Sequence, residues 1–500
     1  MAATACLDGT HWLPLEILET IFDCIETSPD RSRRDTLSNA LRVNRTWHEL
    51  AVKRLWSRVD MAYVLQLLPE DMWYVEREIY APEDSDGPED AEDVSVSSDQ
   101  LASLRHYAQH VTHLELDGGH TPSNVETLHA VRMRKEFFTA YTKVMTSDPE
   151  TKPLFPKLEA LRITLAARSF ARTLKLLEGA PLSELYSVLM HPGEACQEDA
   201  VLDALLATLP WCTQTISKLV LSNRQEVADT EEEPATVTRF TGLQTLMVPR
   251  LFDAEWATVA TLPELKSLSV LGSSWQLSRS VATTGPCFRR VTDLHIYATP
   301  SALRTVLRMA PRWNLRNLVI MIQTKRASEM DDICVVVSHH IRPLALHSLT
   351  VGAGGFEDSA RLTFEGLRPL LGFRSLRHLS LTLRHSISSG GPQRCLRLSD
   401  EQLHLLAQSF PGIIQLQLGN VGCSLQGMAV FAESCPRLEQ LAVHVDVSET
   451  PLQESEYKGL KVGTSMKNLF MDVEPRGAQI DGDVTSFLEY MFPFARIEFV

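Results

Sequence analysis

Two periods of apolar residues divide the chain. Over the first fifty or so residues the period is helical. Leu13, Ile17, Leu18, Ile21, Phe22 and Ile25 recur at three- and four-residue steps and form one stripe. Pro14 suits the first residue of that helix, where its missing N–H is no loss and its φ is already suitable. A polar break from Glu26 to Arg34, containing Pro29, follows. A second short pattern is Leu37, Ala40 and Leu41, and Asn44 stands where an N-cap belongs. The third helix then presents Trp47, Leu50, Ala51 and Leu55 on one side. Three helices this short bury little surface alone and need a partner.

From about residue 106 the pattern becomes a repeat, apolar-x-x-Leu-x-apolar. It reads Val111-Leu114-Leu116, Leu158-Leu161-Ile163, Ile216-Leu219-Leu221, Leu243-Leu246-Val248, Leu265-Leu268-Val270 and Val291-Leu294-Ile296. It continues as Leu315-Leu318-Ile320, Leu346-Leu349-Val351, Leu376-Leu379-Leu381, Ile413-Leu416-Leu418, Leu438-Leu441-Val443 and Met466-Leu469-Met471. A weaker copy, Leu182-Leu185-Val188, reads as out of phase. Alternation at the end of each phrase predicts a short strand. Helix-like segments lie between phrases, at 125–145, 169–177, 199–209, 301–310, 400–410 and 425–434. Several end on a proline just before the next phrase, as in Phe155-Pro156, Leu262-Pro263, Phe410-Pro411 and Cys435-Pro436. Proline stops a helix and biases its predecessor to extended backbone, so each unit reads helix, stop, strand. One unit cannot cover its apolar side, whereas a stack shares a core.

Between the two patterns, Trp73, Tyr74 and Tyr80 read as ordered chain that docks the opening helices. Residues 81–100 are acidic, without Lys or Arg, and read as a solvated, disordered loop. Its serines, Ser85, Ser95, Ser97 and Ser98, read as solubilising residues.

The opening stretch resembles the F-box. Leu13-Pro14, Glu16-Ile17, Ile21-Phe22, Val43, Trp47 and Leu55-Trp56 meet that family's pattern over residues 11–60. The spacer between Phe22 and Leu37 is longer and more charged than in the shortest members, and Asn44-Arg45 follows Val43 where many members have Cys-Lys or Ser-Arg. The later phrases resemble the leucine-rich repeat, in the long irregular form that often follows an F-box in fungal proteins. That resemblance covers residues 106–500, nearly four fifths of the chain. The family often carries Asn or Cys three residues after the phrase. Gly119, Arg224, Leu251 and Val421 stand there instead, which predicts less uniform turns.

The resemblances imply an α/β fold: a leucine-rich-repeat solenoid, parallel inner sheet with outer helices, preceded by a small three-helix F-box. The domain boundaries expected are 11–60 for the F-box, 61–105 for a connecting segment and 106–500 for the repeats. They further imply a substrate-receptor subunit of an SCF-type cullin–RING ubiquitin ligase, with a Skp-type adaptor and cullin complex as partners. The adaptor would meet Leu13, Pro14, Ile17, Leu18, Ile21, Phe22, Val43, Leu50, Leu55 and Trp56, with Trp47 mainly core. A leucine-rich-repeat scaffold independent of any ligase is the other reading that these residues leave open.

Composition narrows the chemistry. With 500 residues, 44% of them hydrophobic, the chain exceeds one ordinary core. A net charge of −15 makes it a poor phosphate-backbone binder, so no nucleic acid is expected. Nine scattered cysteines without a C-x-x-C predict reduced, buried thiols and neither disulfides nor a zinc site. The N-terminus shows no signal peptide and no stretch has the roughly 18 consecutive apolar residues of a membrane span. A cytoplasmic or nuclear protein without membrane attachment is the expectation. No phosphate loop, G-x-S-x-G or H-E-x-x-H occurs, so no catalytic residue, metal or cofactor is expected. An enzyme site assembled from repeat loops is a distant third reading. Gly352 to Gly355 and Gly390-Gly391 read as loops, Glu231 to Glu233 as a solvated loop, and His339-His340 as surface or capping histidines.

Binding is the better-supported chemistry. Residues that alternate with the buried leucines point out of the sheet. Among them Asp293, His295, Tyr297, Asn317, Met321, His378 and Gln415 are the candidates for holding a target protein. Their mixed character suits a protein or small ligand more than a polyanion.

Overall fold

The computed structural model describes residues 14–26, 30–68, 73–76, 98–116, 130–133, 141, 153–163, 174–187, 205–222, 236–272, 287–310, 312–323, 327–356, 363–385, 396–446, 457–458, 460, 462–474 and 482–499. It falls into two compact units: Met1–Thr230 with Arg239–Leu243, and Glu231–Thr238 with Gln244–Val500.

The first unit opens with α1 (Leu15–Glu26), α2 (Asp30–Ala40) and α3 (Arg45–Ser57). Helix α1 starts one residue later than the proline suggests, and the Pro14 carbonyl accepts from the N–H groups of Ile17 and Leu18. Helix α2 begins directly after Pro29, so most of the expected polar break is helix. It is polar because Leu37 and Ala40 are its members in the core cluster. Asn44 caps α3 as the pattern predicts, its side chain accepting from the Trp47 N–H at 2.9 Å.

Helix α3 runs straight into a strand, β1 (Arg58–Asp60), followed by α4 (Met61–Leu65), β2 (Trp73–Glu76), α5 (Ser98–Ala108) and β3 (His113–Leu116). The unit continues with β4 (Ala130–Met133), β5 (Ala160–Ile163), β6 (Glu184–Ser187) and β7 (Lys218–Leu221). Strands β1, β3, β5, β6 and β7 pair in parallel, each with the next. Sheet pairing therefore starts inside the segment expected to be F-box alone, because Val59 takes the middle position of an unrecognised phrase and pairs with Leu114.

Four further expectations are corrected here. The phrase at Leu182 is not out of phase: Leu185 lies level with Leu161 and Leu219, and buried Ser187, not Val188, takes the last position. Within the segment expected to be helix, 125–145, residues 130–133 form β4 instead, which pairs antiparallel with β2 and so satisfies its backbone outside the repeat. Residues 98–100, assigned to the acidic loop, open α5. Residues 81–97 lie outside the described residues. The helix expected at 169–177 is, in its described part, a 3-10 turn at Lys175–Leu177.

The second unit carries β8 (Thr245–Val248), β9 (Ser267–Val270), β10 (Asp293–Ala298), β11 (Asn317–Gln323), β12 (Ser348–Phe356), β13 (His378–His385), β14 (Leu396–Arg397), β15 (Gln415–Cys423), β16 (Gln440–Asp446), β17 (Asn468–Glu474) and β18 (Arg496–Phe499). From β8 to β13, then β15 to β18, each pairs in parallel with the next. Strand β14 pairs with β15 alone. All twelve phrases thus fall on parallel strands of their own unit. Gly352 to Gly355 belong to β12, not to a loop. A Cβ at 352 would stand 2.5 Å from the Met321 sulfur, so any larger residue there would move the Met321 side chain aside.

Helices at Pro300–Met309, Asp400–Ser409 and Leu425–Ser434 match the predicted segments, and those at Asp253–Val259, Ala327–His340 and Gly482–Met491 went unrecognised. They cover the leucine side of the strands, where Leu294, Leu318, Leu349, Leu379, Leu416 and Leu441 are nearly or fully buried. Each such side chain stabilises the stack by about 1.5–3 kcal/mol. The proline stops are tight turns: the N–H groups of Leu158, Ile413 and Leu438 donate to the carbonyls of Phe155, Phe410 and Cys435, with Pro second in each turn. Before most strands, one carbonyl accepts two N–H groups of the next repeat. Arg377 O takes Ile414 and Gln415, and Ile414 O takes Glu439 and Gln440. Where the family places Asn or Cys, Leu251 and Val421 are buried apolar side chains; Gly119 and Arg224 lie outside the described residues.

Candidate functional site

Two surfaces carry the candidate residues. The first is in the opening helices. Leu18, Phe22, Leu37, Ala40, Leu50 and Ala51 form their core, with Ile25, Leu41, Trp47 and Leu55 packed at its edge. The Trp47 ring meets Phe22 edge-on at 5.4 Å. Arg54 pairs with Asp23 and ties α3 to α1.

The ten expected adaptor residues divide by burial. Leu18, Phe22 and Leu50 hold the helices together. Ile21, Leu55 and Trp56 are half-buried. Pro14 is exposed, Ile17 is 47% exposed and Val43 49%. Leu13 lies outside the described residues. Leu15, 52% exposed, was missed. It continues the Leu18–Phe22 stripe one turn past the edge of the core, a position the helical period alone gives. Ile17 and Ile21, four residues apart, share another face of α1.

The second surface is the strand face opposite the leucines. In the first unit that face is charged and self-paired. Glu115 pairs with Arg162, and Glu184 pairs with Lys218 at 3.2 Å while accepting from the Tyr186 hydroxyl. Lys218 also lies 4.9 Å over the Tyr186 ring. Burial would raise the Glu184 carboxyl, but hydrogen bonds from Tyr186 and Lys218 outweigh it and hold it below the ordinary range.

In the second unit the face is mostly neutral, and register aligns it in rows. One row runs Ser267, Asp293, Asn317, Ser348, His378, Gln415, Gln440 and Asn468. The next runs Ser269, His295, Val319, Thr350, Ser380, Gln417, Ala442 and Phe470. Tyr297 and Met321 begin a third, level with Gly352 and Thr382. All seven expected target-binding residues therefore lie in adjoining rows of one face. Asn317 donates to Asp293, which also accepts from the Thr292 hydroxyl at 2.6 Å.

Of the seven candidates, Gln415 also borders a hollow on this face. A depression of about 480 Å³ is lined by Gln415, Gln417, Gly419, Gln440, Ala442, His444 and Phe470, with strand leucines beneath. Ala442 stands in register between Gln417 and Phe470, a small side chain between two large ones. Strand β15 leaves the register of β16 between Leu418 and Gly422, and its Val421 and Gly422 pair with β14. The bulge and the alanine make the hollow, and neither shows as a motif.

Among the described residues no group of three or more His, Cys, Asp or Glu could hold a metal ion, and no helix is long and apolar enough to cross a membrane. The buried thiols of Cys212, Cys334, Cys423 and Cys435 are pushed up to about 12 by burial. Neither they nor buried Cys287 nor exposed Cys24 is in a disulfide; Cys6, Cys196 and Cys395 lie outside the described residues.

The opening helices match a known family model over residues 12–62, whose description is F-box-like. Residues 12–62 form an F-box-like domain. Its match takes in β1, so the F-box-like domain and the first parallel strand are one continuous piece of chain. No curated protein matches the sequence. Among solved structures, an internalin (inlF) from Listeria monocytogenes is 12% identical with a TM-score of 0.32, covering 79% of this chain and 89% of that one. The leucine-rich repeat-containing protein LegL7 from Legionella pneumophila is 13% identical with a TM-score of 0.31, covering 66% of this chain and 97% of that one. Both are bacterial, and the fungal form of the repeat gains nothing from them. The repeat fold behind the F-box-like domain rests on its own strand register, phrase by phrase.

Proposed function

We propose that the chain is the substrate-receptor subunit of an SCF-type cullin–RING ubiquitin ligase. The F-box-like domain binds the Skp-type adaptor, and the repeat face holds a target protein. The observation that carries this reading is the division of labour in the F-box-like domain. Its buried members close the three-helix core, while Pro14, Leu15, Ile17 and Val43 are left exposed. Apolar side chains of this kind anchor interfaces. The receptor breaks and forms no bond. It raises the effective concentration of a target lysine near a charged ubiquitin-conjugating enzyme. This role belongs in the cytoplasm or nucleus, where that machinery works.

The test is co-purification of the full chain with a recombinant Skp-type adaptor and cullin. The intact chain should capture both, and the double variant Leu13→Ala, Pro14→Ala should capture neither. Failure of the unaltered chain to capture the adaptor would put the ligase-independent scaffold ahead.

A further inference from the structure

We propose that the hollow over Ala442 takes the uncharged phenol of a tyrosine, carried on an extended segment of a target protein, and that phosphate on that tyrosine shuts it out. The proposal rests on reading the repeat face as the target-binding surface, and names the chemistry that surface selects.

Size comes first. Ala442 forms the floor, and Gly419 adds no side chain at one end. The resulting space of about 480 Å³ lies within the range of ligand pockets, roughly 300–1,000 Å³. It is large enough for an aromatic ring with its neighbouring backbone. The half-buried Phe470 ring forms one wall, where an incoming ring packs edge-on or offset.

Polarity then selects among aromatic side chains. Gln415, Gln417 and Gln440 each offer a carboxamide, which donates and accepts, and a phenol hydroxyl does both. The Gln417 carboxamide oxygen accepts from the Ser380 hydroxyl at 3.0 Å, which leaves its N–H groups to face the hollow. A phenylalanine in the same place would offer the carboxamides no partner, and a site built to hydrogen-bond a hydroxyl rejects the analogue that lacks it. Charge excludes the modified form. The described lining residues include no Lys or Arg. A phosphotyrosine carries a charge of about −1.5 to −2 at neutral pH and would lose its hydration with no guanidinium or ammonium to replace it. Charged groups that pair on a strand face include Glu184 with Lys218, Glu115 with Arg162, and Arg496 with Glu498 at 2.9 Å; the last pair stands on β18, beside β17, where the guanidinium already has its own carboxylate.

The test titrates the full chain, co-purified with the adaptor where it is captured, with three probes followed by ligand-observed NMR. The probes are N-acetyl-tyrosinamide, N-acetyl-phenylalaninamide and O-phospho-N-acetyl-tyrosinamide. The tyrosine probe should bind, the phenylalanine probe about tenfold more weakly, and the phosphorylated probe not at all. Ala442→Trp, which fills the hollow, should abolish binding, and Gln417→Ala should weaken it. Should Ala442→Trp fail to fold, Phe470→Ala replaces it, with loss of binding expected. Binding of the phosphorylated probe at equal or greater strength overturns the proposal, as does full binding by the filled variant or no response to any probe. Adaptor capture is read on the same samples. A chain that captures adaptor but ignores the tyrosine probe refutes the hollow and leaves the receptor reading standing. A chain that binds the probe without capturing adaptor does the reverse.

Discussion

Trp56 lies against Tyr107, ring centroids 4.7 Å apart and planes tilted by 31°. Trp56 lies at the end of α3 in the F-box-like domain and Tyr107 belongs to α5, the helix leading into β3. Beside them the Thr112 backbone N–H and hydroxyl both donate to the Ser57 carbonyl at 3.0 Å. The F-box-like domain is therefore built into the start of the repeat sheet. Trp56→Ala and Tyr107→Ala should each lower the melting temperature, and a double-mutant cycle should give a coupling of about 0.5–1.5 kcal/mol. Additive effects would show that the two rings do not support one another. Deleting residues 12–62 also removes β1 and uncovers one edge of β3, so that truncation should cost stability in the remaining chain, measured by thermal unfolding.

The exposed and buried members of the F-box-like domain should separate experimentally. Ile17→Asp should abolish adaptor capture while changing unfolding free energy by about 0.5 kcal/mol or less, as exposed substitutions do. Phe22→Ala should cost about 3–5 kcal/mol through the cavity it leaves. Circular dichroism melts beside pull-downs check both. Equal stability loss in the two variants would mean that Ile17 is structural.

Phe288 has a left-handed backbone, φ 51°, and yet is buried, stacked on Trp313 at 4.7 Å and edge-on to Trp256 at 6.4 Å. The ring holds the strained backbone in place. Phe288→Ala loses the packing and keeps the strain, whereas Phe288→Gly loses the packing and releases the strain. Glycine should therefore be the milder change by about 1 kcal/mol, against its usual entropic disadvantage. Urea titration of the two variants reads the order, and alanine as the more stable would refute it.

The Glu184 carboxyl is lowered in the fold, so its contribution is present above its unfolded pKa of about 4.3 and lost as pH falls through the folded value. The group is about one third exposed, which limits the pair with Lys218 to about 1 kcal/mol or less. Glu184→Gln should lower the melting temperature slightly near neutral pH and leave it unchanged at pH 3. A difference that persists at pH 3 would point to lost packing.

The sequence alone determined the repeat and the three opening helices, because each depends on local spacing. An apolar residue every third or fourth position must lie on one side of a helix, and Leu-x-x-Leu-x-apolar must alternate on a strand. Asn44 as a cap and proline as the stop before each strand are equally local. Tertiary structure decided what depends on partners distant in sequence. Leu185 came into phase because Leu161 and Leu219 lie on either side of it, and Ala130–Met133 left the helical pattern to pair with Trp73–Glu76. The hollow over Ala442 needed Gln417 and Phe470 to arrive beside it from strands on either side. A small residue between two large ones is only a gap once the register is set, and register is fixed by the stacked core, not by any one phrase.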